Sequence, residues 1–249
     1  MCVLALAWRA HPEWRLVLAG NRDERHARPA QPLQRWPDAP GVLAGRDVQS
    51  GGSWLGVSEA GRFAVVTNLS GFGPPTADRP SRGDLVKDAL IGDGRYADLT
   101  VEDAETFNPF NLVTVSGDQA LFWRNRPEVQ RRLIAPGVLG LSNGQADRPW
   151  PKTLQLTAAV AAWLEGTSPP EAMLEPLGDD VPPPGAASMT ERGAQTGVFV
   201  RNADYGTRCS TVVAIDVRGR GLIVERRFDA EGRRAGQTRL TFRWPAEAA

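Results

Sequence analysis

Histidine is nearly absent: His11 and His26 are the only two in 249 residues. That scarcity removes most of the side chains that serve as bases near neutral pH. The two lie fifteen positions apart, with no HExxH and no paired CxxC, so no zinc pattern is present. Two cysteines, Cys2 and Cys209, are too few for a disulfide framework and leave one bridge open. Lysine is equally scarce, with only Lys87 and Lys152 among 29 basic residues. Together with abundant Ala, Gly and Pro, that bias is the mark of a GC-rich genome.

Formal net charge is zero, and the densest charge cluster is RRFDAEGRR (226–234). No positive stripe of the kind that holds nucleic acid is present. No stretch approaches the ~20 apolar residues that span a bilayer. MCVLALAW lacks the positive n-region of a signal peptide. The expectation is a cytoplasmic protein forming a single domain over 1–249, with no nucleic-acid partner and no membrane span.

What the chain does have is apolar strands. Cys2–Trp8 and Arg15–Ala19 pair across the turn Arg9–Trp14, and Trp54–Val57 with Phe63–Asn68 across SEAGR. Asn111–Val115 pairs with Ala120–Trp123, and Arg132–Ala135 with Val138–Leu141. Gly197–Val200, Thr207–Asp216, Gly221–Arg227 and Thr238–Arg243 complete the set. Helices are expected at Gly83–Ile91, capped by Ser81, and at Pro151–Leu164, with shorter ones at Val101–Phe107 and Pro170–Leu177. VPPPG (181–185) reads as a loop. Hairpin-connected sheets usually keep one face wet, yet VLALAW, LVLA, FAVV and TVVAI are apolar on both faces. TRLTFRW alternates and reads as an edge. The pattern predicts an α+β fold, a four-layer αββα sandwich of mainly antiparallel sheets.

Several segments could carry chemistry. Gly140-Leu141-Ser142-Asn143-Gly144 matches G-x-S-x-G, but both histidines lie upstream, whereas an α/β-hydrolase histidine follows its serine. SGGSWLG (50–56) lacks the GK[ST] of a phosphate loop. Cys2 is either a small core residue or, after removal of Met1, a thiol beside a free α-amine. Such an amine, with a reference pKa of about 7.7–8.0, can act as base without any histidine. GNRDER (20–25) follows the second strand, either as a solvated loop or as a source of Arg22 and Asp23 beside Cys2. Asn68 and Asn143 end strands, either starting turns or donating to an oxyanion. Arg208 either snorkels to solvent or enters a site, while Cys209 reads as core.

MC at the start, GNRDE (20–24), GGSWLGVSEAGRFAVVTN (51–68), SRGDLV (81–86), GLSN (140–143), PWPK (149–152) and YGTRCSTVV (205–213) together resemble the NRDE, or transport and Golgi organisation 2, family. The resemblance implies the N-terminal-nucleophile hydrolase fold and a layout like the cysteine enzymes that split bile-acid conjugates and penicillin V. It implies Cys2 as nucleophile and base, Arg22 and Asp23 beside it, and Asn68 and Asn143 as oxyanion or substrate donors. Arg208 would support the cysteine electrostatically, with Asn21 and Glu24 contacting substrate. Those acylases read GRNxD where this chain reads Gly20-Asn21-Arg22-Asp23-Glu24, so Arg and Asp are adjacent here.

Three activities follow as expectations. The first is an amidohydrolase or acyltransferase acting on a small acylated molecule and needing no cofactor. The second is a carrier that uses the same pocket for haem or an acyl chain, with Cys2, His11 or His26 as axial ligand. The third is an interaction protein displaying segments such as QRWPDAP. A homo-oligomer is compatible with each.

Overall fold

The structure, a computed structural model, describes residues 2–245; Met1, whose removal would free the Cys2 amine, lies outside them. Its strands and helices run in chain order as follows. β1 (Val3–His11), β2 (Trp14–Arg25), β3 (Ala30–Trp36), β4 (Ala39–Asp47), β5 (Leu55–Ser58) and β6 (Arg62–Asn68) come first. The helices α1 (Arg82–Ile91) and α2 (Val101–Thr106) precede β7 (Phe110–Ser116), β8 (Gln119–Arg124), β9 (Gln130–Leu133) and β10 (Gly137–Leu141). Then come α3 (Pro151–Leu164), β11 (Tyr205–Asp216), β12 (Arg220–Phe228) and β13 (Arg234–Arg243). The fold is α+β: two antiparallel sheets with few helices.

The described residues divide into two units, residues 2–27 with 136–241, and 28–135 with 242–245. The first holds a six-stranded sheet in the order β10-β1-β2-β11-β12-β13. Its strand faces follow the period-2 rule. Val3, Ala5, Ala7, Val17, Ala19, Val212 and Ala214 form one face, which packs on Leu156, Val160 and Leu164 of α3. Burying each of those larger helix side chains contributes about 1.5–3 kcal/mol. The alternate residues Leu4, Leu6, Leu16, Leu18 and Val213 are also buried, which is why these strands read as apolar throughout. Pro151 at the first turn of α3 costs nothing there, because its missing N–H would have no partner in the helix.

The second unit is a seven-stranded meander in the order β3-β4-β5-β6-β7-β8-β9. Ala64, Val66, Leu112 and Trp123 pack under Leu85, Val86 and Leu90 of α1. Ser81 caps α1 by accepting from the Gly83 N–H at 3.2 Å, and Gly92 ends it at φ 76°, a conformation glycine adopts without strain.

The structure departs from the sequence expectations at five places. β3 and β4 were not expected; β3 is a largely exposed edge strand interrupted by proline, so it carries no apolar period. GNRDER is not a loop after β2 but its final six residues, paired to β11. The expected hairpin of Arg132–Ala135 with Val138–Leu141 does not form: β9 pairs with β8, and β10 crosses to β1. Gly197–Val200 is not a strand. Pro170–Leu177 breaks at Pro176 into two 3-10 turns, because that proline cannot donate to the preceding turn. β13 does lie at a sheet edge, alternating as TRLTFRW suggests.

Candidate active site

The start of β1 and the end of β2 are brought together by register. Val3 pairs with Asn21, so Cys2 falls next to Arg22, and Cys209 pairs with Arg22 from the other side. Cys2 and Cys209 are therefore about two strand spacings apart, roughly 9–10 Å. A disulfide needs Cα atoms within about 7 Å. Both cysteines are free.

Cys2 is held at two points. Its backbone nitrogen donates to Asn143 Oδ1 at 2.6 Å. Its sulfur faces the backbone N–H of Asp23. Burial pushes the thiol above its ordinary value, while that N–H and the Arg22 charge pull it back. Cys2 as a residue keeps partial exposure. Asn143 is placed for this bond because β10 pairs with β1 (Leu141 opposite Leu4) and the chain leaves β10 directly into Ser142-Asn143.

Arg22 and Asp23 are neighbours on one strand and so point to opposite faces. Arg22 lies on the Cys209 side, and Asp23 lies opposite Thr207. Thr207 donates its hydroxyl to Asp23 Oδ1 at 2.7 Å and accepts the Val200 N–H at 2.9 Å. Tyr205 donates to the Asp23 carbonyl at 2.6 Å. Burial raises the Asp23 carboxyl above the usual carboxylate range, with Lys152, Thr207 and Arg22 acting in the opposite direction.

Lys152 is the site residue that sequence reasoning missed. It sits in the first turn of α3, fully buried, and donates from Nζ to Thr196 Oγ1 at 3.0 Å. Burial lowers its ammonium below the ordinary lysine value, and the negative charge of Asp23 and of a Cys2 thiolate would raise it again. The PWPK segment offered one signal: a lysine between a buried Trp150 and an apolar helix face, in a chain with only two lysines.

The other expected residues are placed differently. Asn21 is buried and donates to the carbonyls of Leu177 and Val198 at 2.8 and 3.0 Å while accepting from Ser210 at 2.6 Å. Its amide ties the 3-10 segment to the sheet, which leaves it little capacity for a ligand. Glu24 bonds its neighbour's N–H, Arg25, at the surface. Arg208 is the extra residue of a β-bulge between Thr207 and Cys209, so strand alternation does not apply to it. It donates to the His26 carbonyl at 2.8 Å; Arg22 is the arginine whose charge acts on the Cys2 thiol. Asn68 ends β6 in the second unit and is exposed. No group of three or more metal-ligating side chains occurs among the described residues, nor any helix long and apolar enough to cross a membrane.

The arrangement supplies a thiol, a nitrogen fixed to an amide oxygen, and buried charges of both signs. A family model described as Transport and Golgi organisation 2 matches residues 1–230. The Bos taurus "Transport and Golgi organization protein 2 homolog" is 31% identical, aligned over 91% of this chain and 92% of its own length. The Homo sapiens homolog is 30% identical over 91% and 92%. Among solved structures, a Caenorhabditis elegans N-acylethanolamine-hydrolyzing acid amidase ortholog shares the fold, with a TM-score of 0.52 at 9% identity, over 84% of this chain and 91% of that one.

Proposed function

The chain belongs to the Transport and Golgi organisation 2 family, and from that premise we propose that it is a cysteine amidohydrolase or acyltransferase acting on a small acylated molecule, with Cys2 exposed as the first residue after Met1 is removed. The observation that carries the reading is the 2.6 Å bond from the Cys2 nitrogen to Asn143 Oδ1. A free α-amine held by that acceptor directs its lone pair by geometry, and a directed lone pair next to its own thiol is what general-base activation requires.

In the proposed reaction the amine takes the thiol proton, and the sulfur forms a bond to the acyl carbon. The carbonyl electrons move to oxygen. Collapse expels the amine leaving group, which takes the proton from the Cys2 ammonium and leaves a thioester. Water, deprotonated by the same amine, then attacks the thioester carbon, the C–S bond breaks to release the acid, and the Cys2 sulfur takes its proton back from the ammonium; a second nucleophile in place of water gives acyl transfer. The Asp23 backbone N–H and the Arg22 charge favour the thiolate. Lys152 balances the buried Asp23 carboxylate, whose negative charge would otherwise oppose a thiolate beside it.

The carrier reading gains less support from the same residues. His26 has both ring nitrogens engaged, with the Asn202 carbonyl at 3.0 Å and Arg208 at 3.4 Å, which disfavours it as a haem ligand. Titration with haemin separates the readings: a carrier gives a saturable Soret shift lost in a Cys2 or His11 variant. Incubation with a panel of small amides tests the enzyme reading. An acyl adduct on Cys2 supports it; equal inertness of wild type and Cys2→Ala across the panel removes it.

A further inference from the structure

The second unit contains a cavity of about 420 Å³ on the helix-bearing face of its sheet. α1 packs on β4, β5 and β6, and the same face continues across β7, β8 and β9 as the cavity floor. Register fixes the chemistry of that floor. Arg62 lies directly opposite Ser116, and Thr114 lies in the next row opposite Leu121. One end therefore carries Arg62, Ser116 and Thr114 in its lining, with the Arg62 guanidinium against Gly92 at the C-terminus of α1. The other end is apolar and aromatic, with Leu112 and Trp123 paired on the floor and Tyr96 in the lining.

Both arginines of the cavity lack an acid. Arg62 donates from one terminal nitrogen to the Ile91 carbonyl at 3.0 Å, and Arg131 lies over the Trp123 ring at 5.5 Å. Neither has a carboxylate within ion-pair distance among the described residues, whereas Arg28, Arg35, Arg46 and Arg95 each do. The Ile91 bond uses one N–H of Arg62 and leaves the rest of its fork for a ligand. Asp98, exposed on the rim, offsets one of the two cations, so the cavity matches a single negative charge.

We propose that this cavity is a binding site for a small aryl monocarboxylate, its carboxylate on Arg62, Ser116 and Thr114 and its rings over Leu121 beside Trp123 and Tyr96. The volume suits a two-ring ligand. All of its lining residues lie in the second unit.

The test uses 2-naphthoate as probe and uncharged 2-naphthamide as control, by calorimetry on the full chain. Saturable 2-naphthoate binding is expected, with 2-naphthamide at least about tenfold weaker, because a charged carboxylate makes the stronger bond to a guanidinium. Arg62→Gln should weaken naphthoate about tenfold or more and leave naphthamide unchanged. Ser116→Asp should do the same through repulsion while keeping the Arg62–Ile91 bond, which decides the matter if Arg62→Gln folds poorly. Cys2→Ala should bind as wild type. Absence of saturable binding, equal affinity for acid and amide, wild-type affinity in Ser116→Asp, or loss of binding in Cys2→Ala would each overturn the proposal.

Discussion

The nitrogen of Cys2 and the side-chain oxygen of Asn143 are 2.6 Å apart, joining the first residue of the described chain to a position 141 residues later. Asn143→Ala removes the acceptor of that part-buried N–H, and a donor left without a partner on burial costs about 1–3 kcal/mol. Urea denaturation should show a loss of that size, and the rate of Cys2 alkylation by iodoacetamide should change with it. Asn143→Asp keeps an acceptor and should recover most of the stability. Equal stability of wild type and Asn143→Ala would mean that the bond does not hold the N-terminus.

Lys152 gives a pH prediction of definite sign. Its folded pKa is lowered below the unfolded value of 10.5, so between those two values the unfolded chain binds more protons. Stability of the wild type therefore rises with pH through that window. Lys152→Met cannot titrate. Its stability relative to wild type should be highest below the lowered pKa and should fall steadily as pH approaches 10.5. Melting curves of both proteins from pH 7 to 10.5 check this, and a constant difference would contradict it.

Asp23 predicts the opposite slope at acid pH. Its folded pKa is raised above 3.8, so the folded chain binds more protons between 3.8 and the raised value. Stability from this group is present below 3.8 and is lost as pH rises through the folded pKa. Asp23→Asn retains an oxygen to accept the Thr207 hydroxyl. It should gain stability relative to wild type across that window. Denaturation midpoints at a series of pH values above 3.8 measure the slope.

Gly140→Ala tests how closely α3 must approach β10. A Cβ there would collide with Thr157 Oγ1 and Thr153 Cγ2, so these side chains or the helix that carries them must shift. Such overpacking costs typically about 1–3 kcal/mol. Because Lys152 and Thr153 are adjacent on α3, the variant should also slow Cys2 alkylation. Wild-type stability would show that the helix shifts freely.

Much of this was legible wherever the deciding interactions were local or periodic. Pro151–Leu164 is α3 residue for residue, and Ser81 caps α1 as its spacing suggests. The apolar runs on both faces of β1, β2, β6 and β11 announced sheets buried on both sides. Non-local pairing was not legible. Nothing near Arg132 or Val138 says that β10 will cross to β1. Cys2, Arg22, Asp23, Asn68, Asn143 and Arg208 were joined into one group by the family resemblance, because each residue alone reads equally well as core, loop or turn. Lys152 was not, because lysine in a first helical turn ordinarily faces water, and its burial depends on Thr196, 44 residues away. The bulge that redirects Arg208 to His26 depends equally on the partner strand.

The most direct test of the account is the intact mass of the purified protein before and after incubation with a panel of small N-acyl amides. If Cys2 is the nucleophile, the protein should be a chain beginning at Cys2 that gains a single acyl group, with no gain in Cys2→Ala. A chain that retains Met1, or a wild type that stays unmodified across the whole panel, would contradict it.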